Sequence, residues 1–146
     1  MEKLYPEKLT SYLKKHIASK AIAQQFIASD LEKNSQGTKA PFEEGKGAFG
    51  IYGVERLYKD RLVIMPSMSC PAHCRFCYRK DRVMNKKREM TYEEIDRAAK
   101  EIEKREEIRG VLITGGDPFM NIDKLLYLLD KLSNLENIFE IRIGSR

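Results

Sequence analysis

Apolar residues form two stripes within the first 35 residues of this 146-residue chain. Leu9, Leu13 and Ile17 recur every four residues, and Ile22, Phe26 and Ile27 mark the second stripe. This spacing places the apolar side chains on one face of a helix. The pattern therefore predicts two short amphipathic helices that form a small helical cap. A stretch rich in glycine and polar residues follows from Asn34 to Gly53, which is typical of a linker arm. We therefore divide the chain into a helical N-terminal region with its linker, residues 1–53, and a second region, residues 54–146.

The second region alternates short apolar runs with helical patterns. Leu62–Met65 and Val111–Thr114 are continuous runs of the kind found in strands covered on both faces, and a third strand is predicted from Phe139 to Ile143. Pro66 is expected to end the first strand. Strand, helix, strand, helix, strand with short connections is typical of right-handed parallel βαβ units. The predicted fold class is therefore α/β.

The two predicted helices have recognisable ends. Thr91-Tyr-Glu-Glu94 is a capping box that begins the first helix, and Gly110 is expected to end it. Asn121 can cap the second helix. The leucines of this helix are too closely spaced for one narrow stripe and are expected to be largely buried: Leu125, Leu126, Leu128, Leu129 and Leu132.

Composition excludes several classes of protein. The chain is 42% hydrophobic and 34% charged, a balance that excludes long-range disorder and a membrane protein. It contains neither an uninterrupted apolar run of about 20 residues nor the pattern of a signal peptide, so we expect a cytoplasmic protein. The net charge of +5 does not identify a partner by itself. The basic run formed by Arg79–Arg82 and Lys86–Arg88 is either a solvated loop or a contact surface for an anion.

All three cysteines lie within eight residues, as Cys70, Cys74 and Cys77. An odd number of cysteines without an export signal argues against disulfides and suits thiolate ligation of a metal or an iron–sulfur cluster. Three thiolates can hold three irons of a four-iron cluster and leave the fourth iron open to another ligand. The alternative is a zinc site, which needs a fourth ligand. His73 is poorly placed for that role because it is adjacent to Cys74.

A second motif, Gly115-Gly116-Asp117-Pro118, follows the second predicted strand. Parallel α/β folds bind ligands at the carboxyl ends of their strands, and two glycines allow close approach of the backbone. Free carbonyls and the Asp117 carboxylate can accept hydrogen bonds from an ammonium group. Taken alone, the same four residues would be explained as a plain turn between a strand and a helix.

These motifs together resemble the radical S-adenosylmethionine (SAM) superfamily, whose CxxxCxxC sequence carries an aromatic residue before its last cysteine, here Phe76. The resemblance implies that the three cysteines bind a [4Fe-4S] cluster whose open iron is chelated by SAM. It also implies that Phe76 lies near the adenine and that Gly115, Gly116, Asp117 and Pro118 bind the amino group of SAM. The implied fold is a partial (β/α)6 barrel, of which this chain carries the first part and ends after the third strand.

Longer stretches, at residues 58–64, 74–80, 112–118 and 141–146, resemble the lysine 2,3-aminomutase family, which uses pyridoxal phosphate (PLP) beside SAM. By this resemblance Tyr58 and Arg61 help to hold PLP, and Arg79 binds the carboxylate of the substrate. The family usually has an arginine immediately before that tyrosine, where this chain has Leu57.

The sequence thus predicts a radical SAM enzyme, an isomerase of the 2,3-aminomutase type that uses a [4Fe-4S] cluster, SAM, PLP and a 5'-deoxyadenosyl radical. The expected partners are a small amino-acid substrate and an electron donor such as flavodoxin or ferredoxin; a homo-oligomer stays open, and neither membrane nor nucleic acid is expected. We interpret the chain as an N-terminal fragment or a truncated gene product, inactive alone, because the family's Schiff-base lysine would lie beyond Arg146. Two alternatives are a PLP-independent radical SAM enzyme acting on a peptide or RNA, and a non-enzymatic iron–sulfur or zinc module.

Overall fold

The computed structural model describes residues 5–34, 47–83 and 89–146, except for the side chain of Leu57. Most of the predicted linker and the cations at Lys86–Arg88 lie outside these described residues. In chain order the elements are helices α1 (Ser11–His16) and α2 (Lys20–Phe26), strands β1 (Val54–Tyr58) and β2 (Arg61–Ser67), helix α3 (Tyr92–Glu103), strand β3 (Gly110–Gly115), helix α4 (Ile122–Ser133) and strand β4 (Glu140–Ile143).

The four strands form one sheet in the order β1-β2-β3-β4. β1 pairs with β2 in antiparallel fashion, whereas β2, β3 and β4 are parallel. One face of the sheet packs against α3 and α4 through a core that includes Leu62, Ile64, Ile95, Ile102 and Leu128. The predicted α/β class and its parallel βαβ units are therefore confirmed. None of the described helices has the length and hydrophobicity needed to cross a bilayer.

Two features of the sheet differ from the sequence prediction. Strand β1 was not predicted, because its residues mix charged and apolar side chains and its pairing partner lies across a turn. Strand β2 continues through Pro66 to Ser67 instead of stopping at the proline. The pairing of β2 with β3 is irregular between Ile64 and Ser67, and this irregularity accommodates a residue that has no N–H to donate.

The helices begin as predicted but differ in where they end and what they bury. The Thr91–Glu94 capping box is present, with Glu94 N donating to Thr91 Oγ1 at 3.2 Å and Thr91 N donating to Glu94 Oε2 at 2.8 Å. Helix α3 ends at Glu103, well before Gly110, which instead begins β3. Asn121 caps α4 by accepting from Lys124 N at 3.2 Å. The prediction that the leucines of α4 are buried is wrong for Leu126, which is 58% exposed because it lies on the outer face of the helix.

Candidate cofactor-binding site

A cavity of about 510 Å³ lies at the carboxyl ends of β2 and β3, within the size range of small-molecule sites. All three cysteines line it, together with Gly115, Gly116 and Asp117 from the turn after β3. The two sequence motifs are therefore brought together in space. The N-terminal region contributes a further part of the wall through Thr10, Tyr12, Leu13 and Phe26.

The three cysteines are free thiols, each partly buried. The pKa of Cys70 is raised to about 11, chiefly by burial and then by the neighbouring charges of Cys77, Cys74 and Asp117. Burial is also the main cause of the raised pKa of Cys77. Grouped thiolates in this environment need a positive centre to stabilise them, and a coordinated metal provides one. Soft thiolate donors are the ligands that iron–sulfur clusters use, so this donor set fits such a cluster.

Among the described residues, no three His, Cys, Asp or Glu side chains converge on a point where one metal ion would sit. Convergence of that kind is what a single tetrahedral ion requires. A four-iron cluster is bound differently, because each thiolate ligates a different iron.

The glycine pair packs the turn after β3 against the start of the cysteine loop. Gly115 has a φ of +117°, and a Cβ atom on Gly116 would lie 2.3 Å from the carbonyl oxygen of Ser69. Gly116 N donates to Ser67 O at 2.9 Å, and Asp117 N donates to Ser69 O at 2.7 Å. The close approach that Gly116 permits is therefore to the protein's own backbone. The turn and the cysteine loop form one structural unit.

Asp117 is buried, and its carboxylate is held by two donors. Phe119 N donates to Oδ1 at 3.0 Å, and Ser145 Oγ lies 3.1 and 3.0 Å from the two oxygens. Pro118, the last residue of the motif, begins a short 3-10 turn. It is buried but does not line the cavity. Ser145 had no assigned role in the sequence analysis, although its position directly after a strand was visible there.

Phe76 is 64% exposed and does not line the cavity. The guanidinium of Arg146, which does line it, lies 4.8 Å from the centre of the Phe76 ring and 5.1 Å from that of Phe26. Arg146 Nη1 also donates to Cys74 Sγ at 3.4 Å. The role of Phe76 beside adenine stays a prediction.

Arg79 is buried, so it does not belong to a solvated run. Its Nη1 donates to the carbonyl of Gly115 at 3.5 Å, and its guanidinium lies 4.6 Å from the centre of the Tyr78 ring. Arg82 is buried as well, with Nη1 3.8 Å from Glu55 Oε1. Arg79 thus contacts the glycine turn from within the protein, and its role in binding a substrate carboxylate stays a prediction.

Tyr58 and Arg61 line a second cavity of about 200 Å³, at the amino ends of β2, β3 and β4. Arg142 lines the same cavity because Val63, Leu112 and Arg142 occupy paired positions on three adjacent strands. The sequence analysis assigned no role to Arg142, although its place between two isoleucines of a strand was a usable signal. This cavity lies at the end of the sheet opposite to the cysteines.

Arg56 does not contribute its side chain to this second cavity. It donates to the backbone carbonyls of Tyr58 and Lys59 in the turn between β1 and β2, and Nη2 lies 3.1 Å from Glu107 Oε1. The arginine nearest in sequence to Tyr58 is therefore engaged in holding the turn.

Comparison with known proteins agrees with this geometry. A sequence model of the Radical SAM superfamily matches residues 64–145. This chain belongs to the radical SAM superfamily. The matched residues of this radical SAM chain include all three cysteines and the glycine turn, which form one part of the cavity wall.

This radical SAM chain is also similar to enzymes named as aminomutases. It is 30% identical over 151 residues to the L-lysine 2,3-aminomutase of Methanococcus maripaludis, covering 98% of this chain and 35% of that protein. It is 30% identical over 128 residues to the L-lysine 2,3-aminomutase of Clostridium subterminale, covering 86% and 30%. It is 32% identical over 94 residues to the glutamate 2,3-aminomutase of Clostridioides difficile, covering 64% and 22%. The predicted resemblance to the lysine 2,3-aminomutase family is confirmed, and the chain spans about a third or less of the length of these relatives.

Proposed function

We propose that this chain is the cluster- and SAM-binding part of an amino acid 2,3-aminomutase, an isomerase of the radical SAM superfamily. One observation carries the proposal: Cys70, Cys74 and Cys77 share a single cavity with Gly115, Gly116 and Asp117 at the carboxyl ends of parallel strands. The similarity to lysine and glutamate 2,3-aminomutases supports the choice of reaction.

Cys70, Cys74 and Cys77 would hold the [4Fe-4S] cluster. When bound, the cluster and SAM supply the electron and the radical that the reaction needs. The carboxylate of Asp117, held in place by Ser145, would accept hydrogen bonds from an ammonium group in the cavity. The apolar side chains of Leu13 and Phe26 would exclude water from the same space.

The second cavity is the proposed site for the phosphate of PLP. A phosphate is bound well by guanidinium groups and hydroxyl donors, and Arg61, Arg142 and Tyr58 line this cavity together. Arg142, whose Nη2 lies 2.7 Å from Glu140 Oε1 in the same cavity, would supply a second guanidinium in a chain that has Leu57 where the family usually has an arginine. When bound, PLP would supply an aldehyde that carries the amino group of the substrate while this group migrates.

Anaerobic reconstitution of the chain with iron and sulfide tests the cluster. We expect about four irons per chain and an EPR signal that changes when SAM is added, as for a cluster with one open iron. Cys74→Ser should hold less iron, because one ligand is lost. Stoichiometric zinc without uptake of iron would contradict the proposal.

Equilibrium dialysis against PLP tests the choice of an aminomutase. Arg61→Ala and Arg142→Ala should each weaken PLP binding about ten-fold, because each removes a charge-assisted contact. Lys59→Ala is the matched control, since Lys59 is an exposed cation of the adjacent turn that does not line the cavity. A chain that binds iron and SAM but shows the same PLP binding in all three variants would contradict the PLP site and favour the PLP-independent alternative.

A further inference from the structure

The N-terminal region is joined to the cysteine loop by hydrogen bonds between residues far apart in the chain. His73 N donates to Lys8 O at 2.9 Å, and Arg75 N donates to Gln25 O at 2.8 Å. Lys8 Nζ in turn donates to Cys70 O at 2.6 Å. The loop from Cys70 to Cys77 contains neither helix nor strand, so these contacts give its backbone partners that regular secondary structure does not provide.

An ion pair adds to this backbone network. Arg75 Nε lies 2.8 Å from Glu32 Oε1, and Nη2 lies 2.6 Å from Oε2, which is a bidentate contact. The Arg75 side chain is 6% exposed and that of Glu32 is 17% exposed. Arg75 stands between Cys74 and Cys77 in the sequence. The ion pair therefore holds the loop between two of its cysteines.

Aromatic side chains also join the N-terminal region to the cysteine loop. The rings of Tyr5 and His73 stack with centres 4.7 Å apart, and the Arg75 guanidinium lies 5.3 Å from the centre of the Tyr5 ring. His73 Nδ1 is 2.7 Å from Pro6 O. Because a carbonyl only accepts, Nδ1 carries the proton and donates it. His73 thus anchors the loop to the N-terminal region.

The match to the superfamily begins at residue 64, so residues 5–34 lie outside the shared core. Nevertheless Leu13 and Phe26 line the cavity of the cysteines. The N-terminal region thus reaches both the loop and the cofactor space.

We propose that residues 5–34 act as a clamp that positions the cysteine loop for cluster binding, with Glu32 and Arg75 as its positioning residues. This inference rests on the proposed function of the cysteines. Its physical basis is that a loop ordered before binding avoids the entropic cost of ordering when the cluster binds. Outer contacts of this kind orient the groups that ligate a metal.

The rate of iron loss to a chelator tests the clamp. After anaerobic reconstitution of the full chain, Glu32→Gln and Arg75→Gln should each lose iron about ten-fold faster than the unsubstituted chain. Asp30→Asn is the matched control, because Asp30 belongs to the same short 3-10 segment but pairs with Lys33 at an exposed position. Each single substitution removes the same ion pair. The double variant Glu32→Gln/Arg75→Gln should therefore lose iron less rapidly than the product of the two single effects predicts.

Alkylation of the three thiols in the metal-free chain is a second readout, independent of the cluster. Loss of the ion pair should free the loop, so the thiols of Glu32→Gln should react several-fold faster than those of Asp30→Asn. The two variants should have equal thermal stability. The EPR signal of the reconstituted cluster with SAM should also change in Glu32→Gln, which a distant structural role would not cause. If Glu32→Gln does not fold, Glu32→Asp serves instead, because it keeps the charge and shortens the side chain.

The outcomes separate this inference from the proposed function. If the unsubstituted chain holds iron and Glu32→Gln loses it at the rate of Asp30→Asn, the clamp is wrong and the proposed function stands. If neither the unsubstituted chain nor any variant takes up iron, the proposed function is wrong. The alkylation rates then test by themselves whether the clamp holds the loop. Equal alkylation rates in Glu32→Gln and Asp30→Asn would overturn it.

Discussion

The hydroxyl of Ser145 lies 3.1 and 3.0 Å from the two carboxylate oxygens of Asp117. Ser145 follows β4 and Asp117 follows β3, and these strands are adjacent and parallel. Ser145, at the end of β4, therefore orients the carboxylate of Asp117, at the end of β3. Since Asp117 lines the cavity, its orientation would determine where the ammonium group of the proposed ligand SAM finds its acceptor.

Ser145→Ala should weaken SAM binding to the reconstituted chain about ten-fold, because a hydrogen bond to a charged group is removed. Iron content should stay unchanged, since Ser145 does not contact a cysteine through this bond. Anaerobic equilibrium dialysis with SAM measures the change. Ser133→Ala is the control, as Ser133 makes an exposed bond to Asp130 O at the end of α4. The same dissociation constant in both variants would refute the role of Ser145.

Gly116→Ala should lower both the stability of the chain and its iron content. The added Cβ would lie 2.3 Å from Ser69 O and 2.6 Å from the carbonyl carbon of Met68, so the backbone must shift, at a cost of about 1–3 kcal/mol. Urea unfolding and iron analysis measure the two effects. Gly110→Ala is the control, because its Cβ would meet Arg61 Cγ at an ordinary 3.4 Å. Loss of SAM binding with full iron content would instead show that Gly116 is needed for the ligand.

If Arg79 binds the carboxylate of an amino-acid substrate, as the resemblance implies, Arg79→Lys should weaken the binding of both L-lysine and L-glutamate several-fold. The two amino acids share the α-carboxylate, and a lysine replaces the planar fork of arginine by a point charge. Calorimetric titration of the reconstituted chain measures the binding, and Arg97→Lys, on the exposed face of α3, is the control. Unchanged binding would mean that Arg79 serves only to hold the carbonyl of Gly115.

The contribution of Glu32 to stability should depend on pH. Hydrogen bonds from Arg75 are the main cause of the lowered pKa of the Glu32 carboxyl. A lowered pKa in the folded state means that the stabilisation is fully present above the ordinary value near 4.5 and is lost as the pH falls through the lower folded value.

Urea unfolding of the metal-free chain at several pH values measures this dependence. The difference in the free energy of unfolding between the unsubstituted chain and Glu32→Gln should narrow as the pH falls. A difference that stays constant between neutral pH and pH values below the ordinary pKa of glutamate would show that Arg75 does not hold the ionised carboxylate.

Helix starts could be predicted because they depend on neighbours in sequence. The capping box joins Thr91 to Glu94, three residues apart, and both hydrogen bonds are present. Strand β1 could not be predicted in this way. Its Glu55 is buried beside Arg82, and a charged residue in a short segment does not indicate burial until its partner is known.

Local residue spacing was enough to predict the alternation of strands and helices, the cysteine loop and the glycine turn, because each depends on residue types a few positions apart. It could not predict that Glu32 pairs with Arg75 or that Arg142 shares a cavity with Tyr58 and Arg61. These residues are far apart in the chain. Strand register and the packing of the N-terminal region bring them together, and local spacing carries no information on either.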